Sequence, residues 1–391
     1  MLVLHDPDCL LHSTVEFIGA AAIPAHESPE RLKSILATLE PSPLHDVHHL
    51  SYTNLPSSAK KALLTTITAN HDTGYLQHLE TVFSDWRDHD LVPADGSILP
   101  ECWRFPTSIA NYNVNPQPPR DIYARAGFYA FDMSSGIMKD TWASTIASAN
   151  LAYQGVQTLF PPKYPTPVLQ DETTAGPAPP PLNTLLTLCR PPGHHCDGAR
   201  AGGYCYINNV AVAISTYRTT QQHPDTRVAV LDLDFHHGNG TQELYYADPS
   251  VLYVSIHGQD EFPYYTGAES EVGIGAGEGF NVNLPLPVDA SVDAYLDKLA
   301  LAVQRIREYK PAFVVVSLGF DTYETDPIGK FRIATEDYEG IARRAREALA
   351  RDGVGECKSL VVLEGGYVVE KLGVNLLSWL KGWESPAEQE T

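Results

Sequence analysis

Six short runs of aliphatic and β-branched residues constrain this chain more than any other feature. They are MLVLH (1–5), TLLTLC (184–189), RVAVLDLD (227–234), VLYVSIH (251–257), AFVVVSLG (312–319) and SLVVLEGG (359–366). Their apolar character is continuous rather than alternating, so each strand must be covered on both faces, which is the habit of a parallel sheet. Helical spacing lies between them. Thr141 reads as the N-cap of a helix carrying Trp142, Ile146, Ala149, Tyr153, Val156 and Phe160. Val292, Tyr295, Leu299, Val303 and Ile306 repeat that spacing, and Thr335 reads as the cap of a helix with Tyr338, Ile341 and Ala345. Alternating strands and helices imply an α/β layered fold.

Charge narrows the function classes. Lys plus Arg number 27 against 48 for Asp plus Glu, a net charge of -21. That field opposes nucleic acid and anionic membranes and favours cationic partners. No stretch approaches the roughly 20 apolar residues of a membrane span. The opening MLVLHDPD carries acids where a signal peptide needs basic residues. The six cysteines lack the paired spacing of a disulfide framework. The expectation is an intracellular protein with reduced thiols, cytoplasmic first, with the nucleus left open. Residues 161–181 hold eight prolines and read as a mobile inserted loop. Residues 85–140, rich in turns and aromatics without a clear period, read as a site-building or interface segment.

Four runs end in polar clusters at their carboxyl ends, where open α/β sheets bind ligands. TLLTLC leads into Arg-Pro-Pro-Gly-His194-His195, and VAVLDLD into Asp232-Leu-Asp234-Phe-His236-His237-Gly-Asn239. The third reaches Asp321 and Asp326, and the last Gly365-Gly366-Tyr367. If the second run stays extended, Asp232, Asp234 and His236 share one face while Leu233 and Phe235 pack inward. Three polar groups on a buried strand are costly unless paired or metal-bound. A lone Asp-x-Asp pair is as often structural. With His236 beside it and Asp321 in a second cluster, a catalytic zinc site with mixed nitrogen and oxygen ligands is expected.

Pro191, Pro192 and Gly193 force a tight turn, so adjacent His194 and His195 are either structural or, beside a metal, general base and acid. Asp232 and Asn239 would orient them, the charged partner keeping one imidazole protonated and the neutral one leaving the other lower. Tyr367, after two glycines, can reach an oxyanion, though in isolation it is one of twenty tyrosines. The glycines at 273, 275, 277 and 279 precede FNVNLPL, a strand rather than a helix, which rejects a dinucleotide loop. Cys196 and Cys205 read as packing thiols, His257 as structural, and His71 with Asp72 as braces.

RPPGHH (190–195), GGYCYINNVAVA (202–213), DLDFHHGNGTQ (232–242), SLGFDTYETDP (317–327) and EGGY (364–367) together resemble the zinc-dependent histone deacetylase superfamily. The wording of three of them is similar to acetylpolyamine amidohydrolases and class II relatives. The resemblance implies one domain over 1–382, with a short tail at 383–391, around an eight-stranded parallel sheet. It implies zinc on Asp234, His236 and Asp321, and catalytic His194, His195 and Tyr367 with Asp232 and Asn239 behind the histidines. It further implies a substrate tunnel at Gly203, Tyr204 and Phe262, and a structural potassium at Asp232, Asp234, His236, Ser255 and Ile256. Arginase-like hydrolases hold a second metal with a carboxylate two residues beyond the histidine; here that residue is Gly238, which implies one metal.

The polyamine enzymes carry rim glutamates where this chain has Tyr123 and Ser134, with Asp121, Asp132, Asp260 and Glu261 as substitutes and Asp132 named as substrate-binding. The expected function is removal of acetyl groups from N-acetylated cationic amines, either acetylpolyamines or small acetyl-lysine compounds. The alternatives are a class II protein lysine deacetylase and an acyl-lysine reader without turnover. Neither nucleic acid nor membrane is an expected partner, and a homodimer is expected to form through 85–140.

Overall fold

Each apolar run becomes a strand of one parallel sheet. The computed structural model describes residues 1–19, 21–42, 45–102, 117–161, 182–351 and 355–385, and the proline-rich expectation at 161–181 falls outside them except at Pro161. The strands are β1 (Leu2–His5), β2 (Val15–Ile18), β3 (Ala21–Pro24), β4 (Asp46–His49), β5 (Thr184–Thr187) and β6 (Val228–Asp232). They continue as β7 (Val251–Gly258), β8 (Asn281–Leu286), β9 (Phe313–Leu318), β10 (Ala350–Arg351), β11 (Gly355–Glu356) and β12 (Lys358–Leu363). The helices are α1 (Pro29–Leu39), α2 (Ser57–Thr68), α3 (Thr73–Asp88), α4 (Ile122–Phe128) and α5 (Thr141–Leu159). After them come α6 (Asn209–Gln221), α7 (Asn239–Tyr245), α8 (Val292–Tyr309), α9 (Asp337–Arg346) and α10 (Val369–Glu384).

Eight strands form the sheet in the order β4-β1-β5-β12-β9-β6-β7-β8, all neighbours parallel. Helices cover it: α5 and α6 pack together against the central strands, α8 lies on β6 to β8, and α10 packs on α1 and α9. Strands β6, β7 and β9 are buried along their whole length, which explains their unbroken apolar runs. Strand β4, of sequence DVHH, is an exposed edge and has no such run to betray it. No helix among the described residues is long and apolar enough to cross a membrane.

Four local expectations change. Strand β6 ends at Asp232, so Asp234 and His236 sit in the following loop and not on an extended face. Leu233 and Phe235 are nevertheless buried. Asp140, not Thr141, is the N-cap position of α5; the Thr141 hydroxyl accepts from the Met138 amide and meets His12. Helix α9 starts at Asp337, and Thr335 donates instead to Asn375 Oδ1 at 2.6 Å. The 85–140 segment is less irregular than expected, for it holds the end of α3, all of α4 and an Ile98–Ile137 bridge, while 103–116 lie outside the described residues.

Packing of α10 on α9 depends on one close approach. A Cβ on Gly382 would stand 2.0 Å from the Glu339 carbonyl oxygen, a backbone atom that cannot rotate away. Gly382→Ala must therefore open the helix pair, and a loss of about 1–3 kcal/mol is expected. On the facing helix, a Cβ on Gly340 would meet nothing within 4 Å. Gly340→Ala should gain up to about 1 kcal/mol from helix propensity. Urea midpoints of the two variants check both signs, and equal midpoints would contradict this packing.

Candidate active site

Strands β5, β12, β9 and β6 are consecutive neighbours in the sheet, although they are scattered along the chain. All four polar clusters consequently emerge at adjacent carboxyl ends. The turn after β5 can be tight because residue 193 is glycine: a Cβ there would lie 2.5 Å from the Asn209 amide nitrogen. His194 and His195 follow with ring centroids 4.0 Å apart.

Each histidine has its own partner. His194 Nδ1 lies 3.2 Å from Asp232 Oδ2, and His195 Nδ1 lies 2.8 Å from Asn239 Oδ1. The Asn239 amide group donates to His195 O and meets the Tyr265 hydroxyl at 3.2 Å, which fixes its oxygen toward the ring. His195 Nδ1 is thereby the protonated nitrogen, leaving the Nε2 lone pair free. Burial, then His194 and His236, hold His195 well below the usual imidazole pKa. Burial also lowers His194, but Asp234, Asp232 and Glu364 outweigh it and push His194 up to about 10. A cation on Asp234 would cancel the largest of those attractions.

Asp234, His236 and Asp321 are buried and each offers a ligand atom, all within 4.8 Å of one another. His236 Nδ1 is 2.9 Å from Asp321 Oδ2 and 3.4 Å from Asp234 Oδ1. Backbone amides hold the carboxylates: Gly365 donates to Asp234 Oδ2 at 2.8 Å and Phe235 to Asp321 Oδ1 at 2.9 Å. Burial, then the negative Asp234, push Asp321 up to about 7. Two buried carboxylates that resist joint ionisation, with an imidazole between them, are a donor set suited to a divalent cation. Behind the site, residue 238 is a glycine and offers no ligand atom, and a Cβ there would lie 2.3 Å from Asp232 Oδ2.

A cavity of about 300 Å³ opens over this centre. His195, His236 and Tyr367 are among its lining residues, as are Gly203, Tyr204 and Phe262, together with Ser134, Glu261, Tyr264, Pro327, Ile328 and Lys330. Gly366 has φ +113, a left-handed turn open to glycine, and it delivers Tyr367 to the cavity. Burial, reinforced by Asp321 and Tyr204 against the pull of Arg31, keeps the Tyr367 phenol protonated. Gly203 and Tyr204 also have positive φ. The Gly203 amide donates to Asp132 Oδ2 at 2.8 Å and the Tyr204 hydroxyl to Glu16 Oε2 at 2.7 Å.

The remaining rim candidates are elsewhere or otherwise engaged. Asp132 accepts from Gly203 and Ser134 and does not line the cavity, contrary to its expected place at the substrate. Tyr123 stacks on Trp86 at 5.1 Å, Asp121 caps α4, and Asp260 is exposed outside the lining. Glu261 and Ser134 do line it. Ser255 and Ile256 are buried on β7, with Ser255 in register beside Asp232 and its hydroxyl 2.9 Å from His257 Nδ1. His257 also contacts Gly267 O, as a structural histidine does. Cys196 and Cys205 are free and buried. His71 Nε2 accepts from the Asn208 amide, and Asp72 caps α3.

Several residues that the sequence did not single out support this geometry. Glu364 accepts from the Gly193 amide at 2.8 Å and from the Ser317 hydroxyl at 2.9 Å, joining β5, β9 and β12. Burial pushes its carboxyl up to about 7. Arg31 donates to Gly366 O at 2.7 Å and also to Glu364 O, and its guanidinium lies 5.0 Å from the Tyr367 ring centroid. Glu27 pairs with Arg31 at 2.9 Å and Arg190 at 2.8 Å. The i,i+4 spacing of Glu27 and Arg31 was a signal available in the sequence.

Comparisons with known proteins identify the family. A family profile described as the histone deacetylase domain matches residues 25–382. Acetylpolyamine amidohydrolase 2 of Pseudomonas aeruginosa is 34% identical, covering 98% of this chain and 99% of that protein. The acetylpolyamine amidohydrolase of Mycoplana ramosa is 32% identical over 95% and 96% of the two chains. The crystal structure of acetylpolyamine aminohydrolase from Burkholderia pseudomallei superposes with a TM-score of 0.78 at 30% identity, covering 98% of both chains. The chain belongs to the histone deacetylase domain family, as an enzyme of the amide-hydrolysing kind.

Proposed function

We propose that the protein is a zinc-dependent amidohydrolase that removes acetyl groups from small N-acetylated cationic amines, acetylpolyamines and short acetyl-lysine compounds. One observation carries this reading: the Asp234–His236–Asp321 cluster lies at a cavity that His195 and Tyr367 also line. The relatives named as acetylpolyamine amidohydrolases over almost their full length support the amine class.

In this reading Asp234, His236 and Asp321 hold the zinc. Bound there, zinc supplies Lewis acidity to a water and to the acetyl carbonyl. His195, neutral and with Nε2 free, takes the proton of the attacking water. His194 is oriented by Asp232 and His195 by Asn239, and one of these two histidines returns a proton to the departing amine as the C–N bond breaks. Tyr367 donates its hydroxyl to the oxygen on which negative charge develops, and Tyr204 and Phe262 form the aromatic walls of the tunnel for the acetylated amine's alkyl chain. A structural potassium at Asp232, Asp234, His236, Ser255 and Ile256, a homodimer through 85–140 and a cytoplasmic setting belong to the same proposal.

Three measurements test it. Asp321→Ala should lose most bound zinc, because the remaining pair cannot offset dehydration of the cation. Stoichiometric zinc in that variant, by elemental analysis, would remove Asp321 from the ligand set. Tyr367→Phe should lower turnover about a hundred- to thousandfold while substrate binding changes little, as loss of one oxyanion donor does. Unchanged turnover would take Tyr367 out of the mechanism. Specificity constants for acetylputrescine, acetylspermidine and an acetyl-lysine peptide at low and high salt separate the substrates. Salt should weaken the small cations most. A salt-insensitive peptide advantage of about a hundredfold, well beyond what one exposed charge supplies, would favour the protein lysine deacetylase instead.

A further inference from the structure

The charged groups at the cavity rim form an opposed pair. Glu261 and Lys330 both line the cavity, with Lys330 Nζ 3.1 Å from Glu261 Oε1 and 3.4 Å from Oε2. The lysine side chain is 53% exposed and the glutamate 20%. The ammonium therefore still faces water and can take another partner, while the carboxylate sits deeper.

The backbone carrying each charge is tied to the site. Glu261 immediately precedes Phe262, a lining residue whose ring stands 5.0 Å from that of His195. Lys330 follows the turn Asp326–Gly329, in which Asp326 Oδ1 accepts the Ile328 and Gly329 amides. The other Asp326 oxygen accepts the Tyr367 amide at 2.7 Å. The Lys330 carbonyl accepts from the Asp289 amide at 2.7 Å, and Phe331 beyond it is buried. One rim charge is thus tied to the cavity wall and the other to the tyrosine loop.

A rim of this kind discriminates by the far end of the substrate. A lone distal ammonium at Glu261 must share the carboxylate with Lys330, and it meets like charge as it does so. A headgroup carrying an ammonium beside a carboxylate meets an opposite charge on each side: the ammonium faces Glu261 and the carboxylate faces Lys330. We propose that Glu261 and Lys330 form a headgroup subsite that selects ω-acylamino α-amino acids, of which free Nε-acetyl-lysine is the simplest probe, over acetylated diamines. This rests on the amidohydrolase reading above and assigns the substrate class within it.

N-acetylcadaverine differs from Nε-acetyl-lysine only by the α-carboxylate, so the two compounds isolate that group. The zinc-loaded protein should favour Nε-acetyl-lysine in kcat/KM by about fivefold at low salt, the scale of one partly exposed ion pair. The advantage should shrink as salt rises. Lys330→Gln should abolish or reverse it, by weakening the acid and relieving repulsion of the diamine. Glu261→Gln should weaken the diamine more than the acid. Calorimetric binding of both compounds to the zinc-loaded Tyr367→Phe protein reads the same ratio without turnover. Preference for N-acetylcadaverine in the unsubstituted protein, or a ratio unmoved by Lys330→Gln, overturns the subsite. Failure to release acetate from any acetylated amine would instead defeat the amidohydrolase reading, and the binding ratio would still decide the rim.

Discussion

Negative charge buried at one edge of the sheet is the constraint that the rest of the molecule answers. Asp232, Asp234, Asp321 and Glu364 all have no exposed surface. Each carboxylate is expensive there unless donors or cations surround it. The fold supplies backbone amides from Gly365, Phe235 and Gly193 and a hydroxyl from Ser317. These donors come from the loops that carry the functional side chains. Satisfying the buried charge and assembling the site are consequently one task.

The second answer is a pair of arginines. Arg31 and Arg190 are fully buried and share Glu27, whose carboxyl they hold low against the effect of burial. Replacing such a cluster by apolar groups often leaves stability unchanged, whereas breaking it with one deletion is costly. Its value here is positional. Arg31 binds the Glu364 and Gly366 carbonyls on either side of Gly365, and Arg190 binds the carbonyls of Cys9 and His12. The loop of Tyr367 is thus fastened to helix α1, and the loop of His194 to the amino-terminal segment.

Much of this was legible in the sequence, and the limits have physical causes. The buried strands announce themselves because both faces are covered, while edge strand β4 has exposed side chains and no apolar signature. The cavity's His195, His236 and Tyr367 stood out because polar clusters after apolar runs are costly without a task. What could not be read was spatial order. Nothing local says that β12 lies between β5 and β9. The extended reading of Asp232 to His236 failed because β6 ends at Asp232, yet Asp234 and His236 still converge through the backbone bonds of the loop. Glu364, Arg31 and Glu16 escaped notice because their partners are tertiary: Glu16 meets Tyr204, and Arg31 meets Gly366, across long stretches of chain.

The floor and the rim of the cavity follow different rules for the same reason. The floor is built from residues next to sheet strands, where fixed amide donors meet the buried carboxylates of Asp234, Asp321 and Glu364. The rim is built from loops whose charges see water, so each contact there is weak and replaceable. A net charge of -21 draws any cationic amine toward the protein without distinguishing one from another. Discrimination needs a short-range contact whose backbone is tied to the site. Glu261 beside the Phe262 wall, and Lys330 held through Asp326 to the backbone of Tyr367, have that relation to the floor. Among the described residues, a positive side chain on the rim of so acidic a protein opposes the long-range field beside the cavity mouth, so in this proposal the far end of the substrate bears on the outcome and its net charge alone does not.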